Sequence, residues 1–210
     1  MRLRLIGCGL LLRELSDAIV RSPHVIDATF LPAGLHNEGA KAMRRRLQQE
    51  IDATDATSYD AVVLGYALCG MGVAGLKATA VPLVLPRAHD CITLLMGSRE
   101  KYAEYFQANP GVYFRSVAWM ERSAQIQSQL FAGGLSQDRD DLIARYGEEA
   151  GQFLYEEATR YRQSYRKLTY IRTGSEFDNH CAGQAQAEAR EKNWDYEELP
   201  GDLTLFRRLL

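Results

Sequence analysis

The sequence predicts an α/β fold, a doubly wound and mostly parallel sheet with helices on both faces, Rossmann-like, in a single domain over residues 1–210. Three observations predict it. Short apolar runs alternate with amphipathic segments from end to end, the pattern of a parallel sheet covered by helices. At 210 residues with ordinary apolar and charged content, the chain can bury one sizeable core. It also shows no internal repeat, low-complexity stretch or Pro/Gly/Ser-rich linker that would divide it.

In order, the strands are expected near Leu3-Gly7, Val25-Leu31, Ala61-Tyr66, Val81-Pro86, Val112-Val117 and Leu168-Thr173. Helices are expected over Leu10-Arg21, Glu38-Asp52, Ile92-Gln107, Ser123-Phe131, a long Asp138-Tyr165 region and Asn179-Lys192. In the long region Leu142, Ile143, Tyr146, Ala150, Phe153, Leu154, Tyr161 and Tyr165 recur at helical spacing and predict a buried stripe, which Gly147 and Gly151 should break into two helices. Asp138 and Asn179 precede helical patterns and read as N-caps, their side-chain oxygens accepting first-turn amides. Right-handed crossovers then give the doubly wound arrangement.

The net charge of -2 offers no electrostatic reason to expect nucleic acid. Lys41-Ala42-Met43-Arg44-Arg45-Arg46 is the one basic cluster, and it reads as a solvated helix face. The apolar run at the amino terminus is broken by Arg13 and Glu14, too early for a signal peptide or a membrane helix, so the expected location is cytoplasmic. Thiols stay reduced there, and the four cysteines are read as metal ligands, nucleophiles or buried hydrophobes.

The richest stretch is Pro86-Arg87-Ala88-His89-Asp90-Cys91, which sets a guanidinium, an imidazole, a carboxylate and a thiol at the end of an apolar run. Cys8 and Cys69 follow two further apolar runs. In a parallel sheet all carboxyl ends lie on one edge, where ligands bind. Cys8, Cys69, His89 and Cys91 therefore form a candidate metal set, since thiolate and imidazole are the usual zinc donors and also suit iron. Asp90 could orient His89 from behind. Arg87 is a candidate for a catalytic or anion-binding role, His36 for a further metal donor or for acid-base work, and Glu121 for a base or outer ligand, with Trp119 and Met120 roofing the cleft.

The loop Gly65-Tyr66-Ala67-Leu68-Cys69-Gly70-Met71-Gly72-Val73-Ala74-Gly75 is glycine-rich, and Gly70 and Gly72 are its candidate cofactor contacts, through close backbone approach or amides presented to an anion. It lacks the Gly-Lys-Ser/Thr of a P-loop. Gly7-Cys8-Gly9 departs from a dinucleotide-binding turn because Leu12 replaces the third glycine. His180-Cys181, after the sixth strand, could complete the site. No Cys-x-x-Cys pair is present to indicate a zinc ribbon or ferredoxin cluster, and no Gly-x-Ser-x-Gly elbow occurs.

Gly65-Tyr66-Ala67-Leu68-Cys69-Gly70, the block Pro82 to Ile92 and Gly97-Ser98-Arg99-Glu100-Lys101-Tyr102 together resemble a bacterial and archaeal family catalogued only as a domain of unknown function. Its members are often found near corrinoid-dependent methyltransferases. The resemblance extends over nearly the whole chain, including Gly34-Leu35-His36, Tyr165 to Ile171 and Gly201-Asp202-Leu203. It implies a link to corrinoid-dependent one-carbon metabolism and a site drawn from Cys8, Cys69, His89 and Cys91. Family members continue past the Leu209-Leu210 region with another apolar strand, which leaves the last sheet element open.

The expected function is binding of a metal ion (zinc or iron), an iron-sulfur cluster or a corrinoid, by an accessory protein or enzyme of methyl transfer. The expected partners are a small-molecule or cofactor ligand and a corrinoid methyltransferase system, with neither nucleic acid nor membrane. Two alternatives stand beside it: a metal-free enzyme with a cysteine nucleophile and His89 as base, and a small-anion binding module built on the Gly70 to Gly75 loop and Arg87.

Overall fold

The computed structural model describes residues 1–69, 71–122 and 139–210. It is an α/β fold of parallel strands flanked by helices, as the alternation predicts. The strands divide between two parallel sheets rather than one. The first has the order β2-β1-β3-β4, with β1 at Arg2–Cys8, β2 at Val25–Leu31, β3 at Ala61–Gly65 and β4 at Leu83–Val84; the second has the order β5-β6-β7, with β5 at Val112–Arg115, β6 at Lys167–Arg172 and β7 at Asp195–Pro200.

β1 lies in the middle of the first sheet, with Gly7 opposite Phe30 on one side and Gly65 on the other. Its neighbour β3 is buried along its whole length. β4 corrects the expectation of a buried strand over Val81-Pro86. Only Leu83 and Val84 pair, against Val62 and Val63, and Val84 and Leu85 are exposed. Pro82 and Pro86 bracket the pair, and proline cannot donate to a ladder, which confines such a segment to a short edge strand.

Helices α1 (Leu12–Arg21) and α2 (Ala40–Asp52) cover the first sheet, and Leu15, Ala18, Met43, Leu47 and Ile51 are buried at the i, i+3, i+4 spacing of an inward stripe. The helix expected over Ile92-Gln107 is two, α3 (Cys91–Met96) and α4 (Arg99–Ala108), because Gly97 adopts a left-handed conformation that ends the first, and Ser98 caps the second by accepting the Lys101 amide. Residues 117–122 are helical and straddle both cores: Val117 packs with the second and Ala118 with the first.

The predicted Ser123-Phe131 helix and the Asp138 cap lie outside the described residues. Beyond them, α5 (Arg139–Tyr146) and α6 (Glu148–Thr159) confirm the break at Gly147. The stripe is only partly buried. Leu142 is enclosed, whereas Tyr146 and Phe153 are exposed. Gly151 sits inside α6 and does not break it; a Cβ there would stand 2.5 Å from the Ile143 Cα, so the glycine serves the close approach of the two helices.

α7 (Asp178–Glu191) packs Cys181, Ala182, Ala185 and Ala189 against Leu168 and Tyr170 of β6 in the second core. Asn179 does not cap it. Asp178 ties down the preceding turn by accepting from the Gly174 and Ser175 amides at 2.8 and 3.1 Å, and Asn179 accepts from Arg172. β7 and α8 (Thr204–Leu209) were not expected from the sequence. α8 carries Phe206 and the chain end, Leu210, into the first core, and Leu210 also accepts from the Ser22 hydroxyl.

Candidate functional site

The carboxyl edge of the first sheet collects three thiols from three strand ends. Cys8 is the last residue of β1 and precedes a single 3-10 turn, Gly9–Leu11, whose Leu10 and Leu11 amides point at its sulfur. Beyond β3, two backbone hydrogen bonds, Leu68 to Ala88 and Cys69 to His89, tie the exits of the β3 and β4 strands together. These bonds bring Cys69 towards Cys91, the first residue of α3. Cys69 is held at φ 43°, a left-handed conformation that costs a non-glycine residue about 1 kcal/mol or more. The strain is maintained by the bond from its amide to the His89 carbonyl.

All three thiols are free. Each is pushed above the ordinary value of 9.0, first by burial and then, for Cys69 and Cys91, by neighbouring thiolate charge: Cys8 acts on Cys69, and both act on Cys91. Cys69 is raised to about 12 and Cys91 well above its ordinary range. For Cys8, the amides, Tyr66 and the Arg122 charge pull in the opposite direction. Three residues far apart in sequence thus lie within electrostatic reach of one another. Among the described residues, no group of three or more His, Cys, Asp and Glu side chains is arranged to hold a metal ion.

Tyr66 completes the inner wall. Its ring is buried and its hydroxyl lies beside the Cys8 thiol without a nitrogen or oxygen partner. Burial and the Cys8 and Cys69 charges raise its pKa further. Sequence reasoning passed over Tyr66, although its place at the exit of β3 puts it on the same edge.

The other predicted residues fall as follows. His89 has a side chain 75% exposed; its Nδ1 is 3.5 Å from Asp90 and its ring stacks on Tyr102 at 6.2 Å between centroids. Asp90 serves chiefly as the N-cap of α3, accepting from the Thr93 amide and hydroxyl at 3.0 and 3.1 Å and from the Tyr102 hydroxyl at 2.8 Å. Arg87 is exposed on the loop, and His36 is exposed on the 3-10 turn Leu35–Glu38. Glu121 is engaged by Arg13 through two hydrogen bonds of 2.8 and 2.5 Å, and that guanidinium holds its carboxyl below the ordinary range, a poor arrangement for a base.

Gly70 lies outside the described residues. At Gly72 a Cβ would stand 2.2 Å from the sulfur of buried Met43, so packing against α2 accounts for that glycine. Trp119 packs on the first core and Met120 on the second. Cys181 belongs to the second core, and His180 is exposed.

A family model described as a protein of unknown function, DUF1638, matches residues 30–210. The chain belongs to the DUF1638 family. No curated protein matches this DUF1638 chain. A solved structure, a sugar transporter from Clostridium phytofermentans, is similar over 96% of each chain at 10% identity with a TM-score of 0.31, too low for any inference about fold or ligand. Among the described residues, no helix is long and apolar enough to cross a membrane.

Proposed function

We propose that Cys8, Cys69 and Cys91 bind a soft metal ion, zinc or iron, or the metal of a larger cofactor, and that this DUF1638 protein works as an accessory protein or enzyme in corrinoid-linked methyl transfer. The observation that carries the first part is the convergence on one sheet edge of three thiols drawn from β1, the β3 exit and the start of α3, where the Cys69 amide bonds the His89 carbonyl. The donor set fits such an ion: the thiols are free, Cys8 buried and Cys69 and Cys91 half-buried, and the Leu10 and Leu11 amides already favour negative charge on the Cys8 sulfur. A bound metal supplies Lewis acidity and a charge that deprotonates its thiol ligands outright. The metabolic setting rests on the resemblance described above.

The cysteine-nucleophile alternative is less well supported. Burial holds all three thiols in the neutral form, whereas a nucleophilic cysteine needs a lowered pKa or an adjacent base, and His89 faces solvent.

The test is anaerobic titration of reduced, metal-free protein with zinc, cadmium and ferrous ions. Stoichiometric binding should release protons in proportion to the thiols engaged, and cadmium should give thiolate charge-transfer absorption. Cys69→Ser and Cys91→Ser should each lower occupancy with the fold retained. Full occupancy in both variants would show that neither residue is a ligand. His89→Ala then decides whether the imidazole swings in as a further donor: weakened binding with flatter pH dependence supports it, and unchanged binding removes His89 from the set.

A further inference from the structure

A second region, at the carboxyl edge of the second sheet, carries a site of different chemistry. The ends of β6 and β7 open onto α1 and α8 in two neighbouring clefts of about 530 and 420 Å³, both lined by Thr173, Gly174, Leu203 and Arg207. Ligands in α/β folds bind at this edge. Glu14, on the first turn of α1, forms part of the wall of the smaller cleft. Its residue is 2% exposed, and neither carboxylate oxygen has a hydrogen-bond partner. A buried carboxyl group without a partner costs stability and calls for an explanation.

Glu176, an exposed carboxylate, also lines the smaller cleft, whereas the other charged neighbours are engaged. Arg13, on the same helix, is paired with Glu121 of the 117–122 helix and covers Phe177 at 4.6 Å. Asp178, at the start of α7, accepts from the Tyr170 hydroxyl and two backbone amides. Asp17, one turn along α1, takes Arg21 at 2.9 Å through Oδ1. Arg207 is different. Its guanidinium approaches Asp17 Oδ2 only to 3.6 Å, beyond hydrogen-bond distance, and it lines both clefts.

Glu14 thus stands in the wall of the smaller cleft with both carboxylate oxygens sealed from solvent and unpartnered, so that its side chain must turn towards the cleft to meet a ligand, and the under-used guanidinium of Arg207 lines another wall. An anion alone would leave Glu14 unpartnered, and a cation alone would do nothing for Arg207. We propose that this cleft binds a small zwitterion of the amino-acid class, its ammonium group held by Glu14 and its carboxylate by Arg207. The volume suits a molecule of that size, and both contacts are charge-assisted hydrogen bonds. The proposal is independent of the thiol site.

The full-length protein is screened by thermal shift with the twenty free L-amino acids singly, and any hit is measured by calorimetry beside propionate and ethylammonium, which carry one end each. At least one amino acid should bind saturably, and neither single-ended control should match it. Glu14→Gln, which keeps shape and removes charge, should weaken binding about tenfold or more, as should Arg207→Gln. Circular dichroism establishes that both variants are folded; if Arg207→Gln is not, Arg207→Lys takes its place. No binding by any amino acid, unchanged affinity in Glu14→Gln, or propionate binding as tightly as the amino acid would each overturn the proposal.

Discussion

Glu14→Gln should stabilise the protein at alkaline pH and leave it nearly unchanged in acid. Burial raises the Glu14 pKa from 4.5 to about 7, against opposing pulls from its own backbone amide and from Arg13 and with a smaller push from the Glu121 and Asp178 charges. The folded state therefore prefers the protonated carboxyl, and the unfolded state releases that proton earlier. The contribution of this group to stability is fully present below about pH 4.5 and is lost as pH rises through about 7. At about 1.4 kcal/mol per pH unit, the displacement corresponds to roughly 3 kcal/mol. Glutamine resembles the protonated carboxyl and cannot ionise, so the variant should match the parent near pH 4. It should be more stable by roughly 2 to 3 kcal/mol at pH 8, less whatever its own unpaired amide costs. For a chain of this size that is about 4 to 12 °C in melting temperature. Urea unfolding of both proteins at half-unit steps from pH 4 to 9 checks it, because titrations common to the two cancel in the difference. Curves that run parallel over the whole range would refute the buried, unpartnered carboxyl.

Two further outcomes test the thiol site and its support. With its pKa raised to about 12, Cys69 in metal-free protein should react with iodoacetamide at pH 8 roughly thirty- to a hundredfold more slowly than free cysteine, the loss of thiolate being partly offset by its greater intrinsic nucleophilicity. Peptide mass spectrometry follows the site, and a rate equal to that of free cysteine would turn the argument towards a nucleophile. Asp90→Ala removes the α3 cap and the acceptor for Tyr102, and should cost roughly 2 kcal/mol in chemical unfolding; a change below about 0.5 kcal/mol would show that Asp90 does not hold the Cys91 turn in place.

By itself, the sequence determined the α/β class, because local periodicity is a property of neighbouring residues: the run Leu3 to Gly7 reads as β1, and the spacing of Met43, Leu47 and Ile51 reads as α2. It also placed Cys8, Cys69 and Cys91 on one edge, since strand exits in a parallel sheet share an end. The division into two sheets was decided by long-range pairing. β7 escaped notice because Asp195-Tyr196-Glu197-Glu198-Leu199-Pro200 carries acids that look like a surface loop; only beside β6 do they gain Lys167 and Arg172 as ion-pair partners.

Side-chain direction was likewise settled in three dimensions. His89 and Cys91, two apart, would point the same way only if the strand continued, but Asp90 caps a helix between them and the imidazole turns out to solvent. Glu121 looked free until the fold brought Arg13 to it across 108 positions of chain. Glu14 had a signal, its place beside Leu11, Leu15 and Ala18 on the inward face of α1. The loss of its partners depended on packing against elements more than a hundred residues away, and periodicity along one helix contains no information about what the helix will meet.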